Sequence, residues 1–340
     1  MRRLYTPGRL AAAALVLLAL LVGVLLLAPA RDTYIFLPDR AHPVDPLVKV
    51  EGGTSPRDGG GIFFVDVIVR QATWMERLFP SIREGSTLVP AHAIRPPGVS
   101  EDDRRRGNLR EMTRSQSVAA AVALRELGFD VKADPTGALV RDVIPGAPAA
   151  GKLQPTDVVV AVDSERVRTP SDLRRLIGRT KPGASITLEV RRGGKLERIS
   201  ITTIADPDRR DRAVVGVLVD QAADIRLPIS VRIDAGDVGG PSAGLAFALD
   251  VMEELGRDVD RGYRVAVTGE IELDGDVNPV GGLRQKTIGA RRTNVDIFLV
   301  PAGDNAEEAR RYADDVRIIP VKTFQQALRA LATLPLKKQN

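Results

Sequence analysis

The sequence predicts an α+β multidomain chain: an N-terminal transmembrane helix, a small β element, a β-rich middle unit and a C-terminal α/β unit. Three observations predict it. An uncharged run of nineteen residues, Leu10 to Ala28, stands near the start. Short apolar strands, glycine turns and one helical stretch fill 131–205. Strand and helix patterns then alternate to the C-terminus. The 340 residues are 44% apolar, ample for two or three cores, so a wholly disordered chain is excluded. The absence of Cys excludes disulfide scaffolds, thiolate zinc sites and cysteine nucleophiles. The two histidines, His42 and His92, lie far apart in Pro-containing stretches, so neither a metal nor any other cofactor is expected. The +5 charge comes from 40 Arg and 9 Lys interleaved with acids. No basic block alternates with aromatics, so nucleic acid is not an expected partner.

The elements follow in order. Residues 1–31 read as a cytoplasmic stub and membrane anchor, since the apolar run would be about 28 Å long, close to bilayer thickness. Arg2, Arg3 and Arg9 precede the run. That asymmetry puts the N-terminus in the cytoplasm and the rest outside a cell membrane crossed once. Ala28-Pro29-Ala30 imitates a signal-peptide cleavage site, but the run exceeds the usual ~7–15 residues of such peptides, which favours an uncleaved anchor. Residues 32–100 form a juxtamembrane β element, with strands over Leu47–Val50 and Ile62–Val69 and a short helix over Met75–Leu78. Residues 101–130 form a connecting helix with an apolar stripe at Val118, Val122, Leu124 and Leu127, stopped by Gly128. No chemistry is assigned to it.

In 131–205, strands are expected over Ala138–Val143, Val158–Val162, Ser185–Val190 and Arg198–Thr202, with a helix over Pro170–Ile177 opened by Thr169. The runs Gly137-Ala138-Leu139-Val140, Pro145-Gly146-Ala147-Pro148-Ala149, Gly151-Lys152-Leu153 and Asp157-Val158-Val159 resemble a bacterial protease-associated PDZ domain. The resemblance implies a groove in which an extended peptide adds a strand beside the 170–177 helix. Its terminal carboxylate would be caught by the loop carrying Gly137, Ala138 and Leu139, making C-terminal peptides a partner class. Two decoys fail on detail. Gly146–Lys152 begins like a phosphate-binding loop, yet Leu153 replaces the metal-binding hydroxyl. Asp274–Asn278 opens like a calcium loop, yet the sixth position is Pro279 and the twelfth Gln285.

Residues 206–340 alternate strands (Val214–Val219, Pro228–Ile233, Tyr263–Thr268, Ile297–Val300, Val316–Pro320) with helices (Ser242–Leu255, Leu283–Arg292, Ala306–Tyr312, Thr323–Leu331). At the centre, a glycine-rich loop ends in Gly240-Pro241-Ser242-Ala243-Gly244. Pro241 is expected to open a helix, placing Ser242 where backbone N–H groups favour negative charge. That suits a nucleophile whose attack makes an oxyanion, with Gly240 and Ala243 the nearest amide donors. Lys286 is the only lysine between Lys195 and Lys322. A buried lysine can act as base, whereas an arginine cannot.

These segments together resemble the proteolytic domain of Lon-type serine peptidases. The carrying residues are Gly240-Pro241-Ser242-Ala243-Gly244, Thr268-Gly269-Glu270-Ile271, and Val280-Gly281-Gly282-Leu283 through Lys286. The resemblance implies Ser242 as nucleophile, Lys286 as its base and Thr268 as the residue orienting the lysine. Many members carry an acid where this chain has Gly239. The sequence shows no ATPase module, and the layout resembles membrane-anchored, PDZ-containing Lon-like serine proteases of bacteria. Such a protein is expected to cleave unfolded or flexible polypeptides, bound along the Pro228–Asp234 edge, and to assemble as a homo-oligomer, a hexameric ring by resemblance. The rival expectation is a PDZ scaffold whose Lon-like domain is silent.

Overall fold

A computed structural model describes residues 7–54, 59–94, 100–207 and 209–337, without the side chains of residues 7–10 and Asp103. The apolar run forms the helix Pro7–Leu27. Among the described residues no helix is long and apolar enough to cross a membrane. The leucines of Pro7–Leu27 are open, Leu15 at 68% and Leu17 at 71% exposure.

The remaining chain has two kinds of core. One joins residues on both sides of a long gap: Val44, Ile62, Met112, Val118 and Val122 pack with Leu245, Phe247, Leu249, Val265 and Phe324. A smaller cluster does the same, placing Phe63 and Val65 with Ala266, Leu283 and Phe298. The other kind is self-contained, built from Ala138 to Val215. The β-rich unit is therefore an insertion within a split α/β unit. This corrects the linear order expected above. The 32–100 element is not a separate juxtamembrane body, nor is 101–130 a mere connector. Gly61–Phe64 pairs in parallel with Arg264–Val267, and Val48–Val50 pairs with Val231–Ile233. The long helix Glu101–Glu126 packs on Gly244–Glu254. The expected strand Ile62–Val69 is broken at Val65-Asp66 into Gly61–Phe64 and Val67–Thr73. The first strand expected in 206–340, Val214–Val219, is observed as Val217–Arg226 and belongs instead to the sheet of the insert. Alternation of apolar residues announces a strand but does not name its partner.

The split unit has a five-stranded sheet in the order His42–Pro43, Gly61–Phe64, Arg264–Val267, Ile297–Pro301, Arg317–Val321. The last four are parallel. Val-, Ile- and Phe-rich strands buried on both faces fit such a sheet. The carboxyl ends of Gly61–Phe64 and Arg264–Val267 point to one place, where ligands bind in open parallel sheets.

Candidate active site

Ser242 lies at the end of the loop that follows Val231–Ile233. The helix expected from Ser242 begins at Gly244, with Ala243 as its cap residue. Pro241 to Gly244 is a turn, closed by the Gly244 amide on the Pro241 carbonyl at 3.2 Å. Ser242 is half-buried. Its carbonyl accepts the Gly269 amide at 2.9 Å and the Thr268 hydroxyl at 3.2 Å, which ties the loop to the end of the central strand. The amides of Ser242 and Ala243 have no acceptor among the described residues. The Gly240 amide does have one, the Asn108 carbonyl at 2.9 Å. Gly240 is thus removed from the oxyanion donors expected above, while Ala243 stays available.

Lys286 projects from the first turn of Leu283–Arg292 into the protein, 3% exposed. Its Nζ donates to Thr268 Oγ1 at 3.1 Å, and Thr268 is fully buried. Burial pushes the Lys286 ammonium down from 10.5 to about 7, opposed by the negative charge of Asp66. Among the described residues, Ser242 Oγ and Lys286 Nζ are not hydrogen-bonded to one another, but both line a cavity of about 650 Å³ with Asp66, Glu270 and Gly282. Burial and then Glu272 push the Glu270 carboxyl up to about 7. Glu270 faces Arg114 at 3.8 Å.

The helix Glu101–Glu126, given no chemistry from sequence, grips this loop. Ser115, 2% exposed, donates to the Pro241 carbonyl at 2.9 Å. Arg114 bonds Glu272 at 2.7 Å. A Cβ at Gly239 would meet Asn108 Cβ at 2.8 Å, so the loop runs flush against this helix and an acidic side chain at 239 has no room. Ser115 stands three residues before Val118, one helical turn from the apolar stripe, and that spacing is its sequence signal.

In the insert, Gly137, Ala138 and Leu139 are not a loop with open amides. They lie inside the strand Lys132–Val143. Ala138 and Leu139 pair with Val159 and Val158 on one side. On the other side Gly137, Ala138 and Leu139 oppose Ala222, Gln221 and Asp220. The edge beside helix Pro170–Gly178, expected to receive a peptide, is filled by the chain's own Val217–Arg226. Gln221 Nε2 donates to the carbonyls of Arg168 at 2.9 Å and Ala222 at 2.7 Å. Gly137 is required here by close packing rather than by a turn, since a Cβ would meet the Val159 carbonyl oxygen at 2.6 Å.

Comparison with known proteins agrees with both parts. Residues 213–333 match the Lon protease (S16) C-terminal proteolytic domain, and residues 125–203 match the PDZ domain. Lon protease of Mesomycoplasma hyopneumoniae is 30% identical over 161 residues, 39% of this chain and 18% of that protein. Lon protease 2 of Bacillus subtilis is 32% identical over 120 residues, 35% of this chain and 20% of that protein. The chain thus spans about a fifth of the length of these relatives. The PDZ domain of an SdrC-like protein from Listeria monocytogenes is 22% identical, with a TM-score of 0.23, covering 25% of this chain and 87% of that one. The chain therefore carries a Lon-type C-terminal proteolytic domain together with a PDZ domain.

Proposed function

We propose that this chain is a membrane-anchored serine endopeptidase in which Ser242 is the nucleophile and Lys286 its base. One observation carries the reading: a fully buried lysine, lowered to about 7 and held by Thr268, shares a cavity with a serine beside two unbonded amides. Neutral Lys286 takes the Ser242 proton as Oγ attacks the scissile carbonyl carbon. Their hydrogen bond closes when substrate fills the cavity. The oxyanion meets the amides of Ser242 and Ala243. The ammonium then protonates the leaving amine, and the same lysine activates the water that hydrolyses the acyl-enzyme.

Substrate lies extended along Val231–Ile233, whose second edge pairs with no described strand. A chain must be unfolded or flexible to enter there. The open leucines of Pro7–Leu27 and the preceding arginines support an anchor with the catalytic unit outside the cytoplasm. The protein works as a homo-oligomer in this proposal, as the Lon resemblance suggests. The test is digestion of fluorescent casein by the full chain in detergent, beside Ser242→Ala. Cleavage confined to the wild type supports the reading, and equal cleavage by Ser242→Ala overturns it.

A further inference from the structure

We propose that Asp66 is the electrostatic partner of Lys286, a positioning residue whose carboxylate holds the ammonium that forms each time the base takes up a proton. The inference rests on the Ser–Lys reading above, but its observations are separate. Phe64 lies opposite Val267 in parallel register. Two residues beyond each strand end come Asp66 and Gly269, so the sheet delivers Asp66 and Thr268 to neighbouring positions. Asp66 lines the cavity with Lys286. The next residue, Val67, sits 2.8 Å from where a Gly282 Cβ would stand, and Gly282 caps the helix whose first turn carries Lys286.

Supply and demand for hydrogen bonds match across this gap. Among the described residues Asp66 Oδ1 is shut from solvent without a hydrogen-bond partner, and the imidazole His42 Nε2 stands 3.7 Å away. Among the described residues Lys286 Nζ has one hydrogen-bond partner, Thr268, whereas an ammonium carries three donors. A buried ammonium left with one acceptor is costly. The other charged groups nearby are engaged elsewhere. Asp39 faces His42 at 3.5 Å. Asp237 is exposed and bonded to Arg105 at 2.8 Å. Glu270 is turned to Arg114. On the lysine's own helix, Arg291 and Arg292 pair with Glu84, and Arg284 lies over the Tyr312 ring. Asp66 is the one carboxylate whose charge acts appreciably on Lys286. Burial and then Asp39 push the Asp66 carboxyl above its ordinary value, against the pull of His42 and Lys286, and in this proposal it is the carboxylate form that faces the ammonium.

The experiment is a pH–rate profile of casein cleavage by the full chain as wild type, Asp66→Asn and Asp66→Glu. Removing the charge weakens Lys286 as a base. The Asp66→Asn profile should rise at a pH about one unit lower, an ordinary shift for losing one opposite charge. Its rate should be roughly tenfold below wild type at alkaline pH, with the deficit shrinking toward parity as pH falls. Asp66→Glu should restore the wild-type midpoint. A deficit of the same size at every pH marks a merely structural residue and overturns the proposal. Lys286→Arg and Ser242→Ala run alongside: if they keep activity, the Ser–Lys reading has failed, whereas if both are dead and the Asp66→Asn deficit is uniform, only this inference has. Should Asp66→Asn be inactive, the titration of 13C-labelled Lys286 in folded Ser242→Ala protein decides, because Asp66→Asn must lower its midpoint and an unmoved midpoint overturns the proposal.

Discussion

The insert closes its core within residues 138–215, whereas the unit around it draws on 41–123 and again on 235–334. Each strand of the insert finds its partners inside 132–226, and its helix is closed by the Thr169–Asp172 capping box. The surrounding unit instead completes its central sheet with strands some 200 residues apart. Damage to the insert should therefore stay local. Damage to the split unit should reach Ser242, because nine of the eleven residues in the helix that follows the serine are buried in that unit's core.

The largest expected effect isolates catalysis in the split unit. Lys286→Arg keeps the charge but cannot accept a proton, so casein cleavage should fall by about a thousandfold or more. Wild-type activity should rise as pH passes about 7, where Lys286 loses its proton. Retention of most activity by Lys286→Arg would move the base elsewhere.

Next come two truncations, Phe247→Ala in the split core and Leu188→Ala in the insert, both at fully buried positions. They should cost about 3–5 and 2–5 kcal/mol respectively. Urea titrations of cleavage should collapse early for Phe247→Ala and hold near wild type for Leu188→Ala. Parallel collapse would mean that Val217–Arg226 welds the two units into one cooperative body.

Lys286→Met tests the same site through stability. A lysine lowered from 10.5 to about 7 binds fewer protons folded than unfolded across that interval. Its penalty is whole below pH 7 and is relieved as pH rises toward 10.5. Lys286→Met should thus raise the melting midpoint by several degrees at pH 6 while abolishing cleavage, with the gain shrinking at pH 9. A lowered midpoint at pH 6 would contradict the buried-amine description.

The smallest effect concerns the filled edge of the insert. Wild-type protein should bind free C-terminal apolar peptides weakly, because Val217–Arg226 already occupies the position of an added strand. Gln221→Ala removes the side-chain bonds to the Gly137 carbonyl at 3.2 Å and the Arg168 carbonyl at 2.9 Å, and should tighten peptide binding several-fold, read by fluorescence polarisation. Unchanged binding would show that peptides use another surface.

Short-range features were legible in the sequence. Lys286 was singled out by its solitude among arginines, and its helix Leu283–Arg292 has the expected bounds. Ser242 and Thr268 came with their motifs. What escaped depends on pairing over distance. Asp66 looked like part of one strand because Ile62 to Val69 is apolar on both sides of it. Asn108 and Ser115 sit on a helix whose charged first half reads as solvated, and only its packing on Gly244–Glu254 gives them work. Gly137 is expected in a carboxylate-catching loop because the PDZ resemblance implies one, and close strand packing leaves no local mark on a glycine. The Gly240 amide became unavailable through a carbonyl 132 residues earlier, which no local pattern encodes.

The pairing of Lys132 with Arg226 has a consequence for how the protein is made. On the ribosome, Gly61–Phe64 emerges with its central neighbour still about 200 residues from synthesis, a wait of roughly ten seconds or more at 5–20 residues per second. The insert is finished first, and its register sets the two ends of a ninety-five-residue excursion side by side. Closing a flexible loop of that size from scratch would cost the late half much of its freedom. Here the clasp is already shut when the Ser242 segment arrives, so the nascent chain is assembled as if its two halves were nearly contiguous.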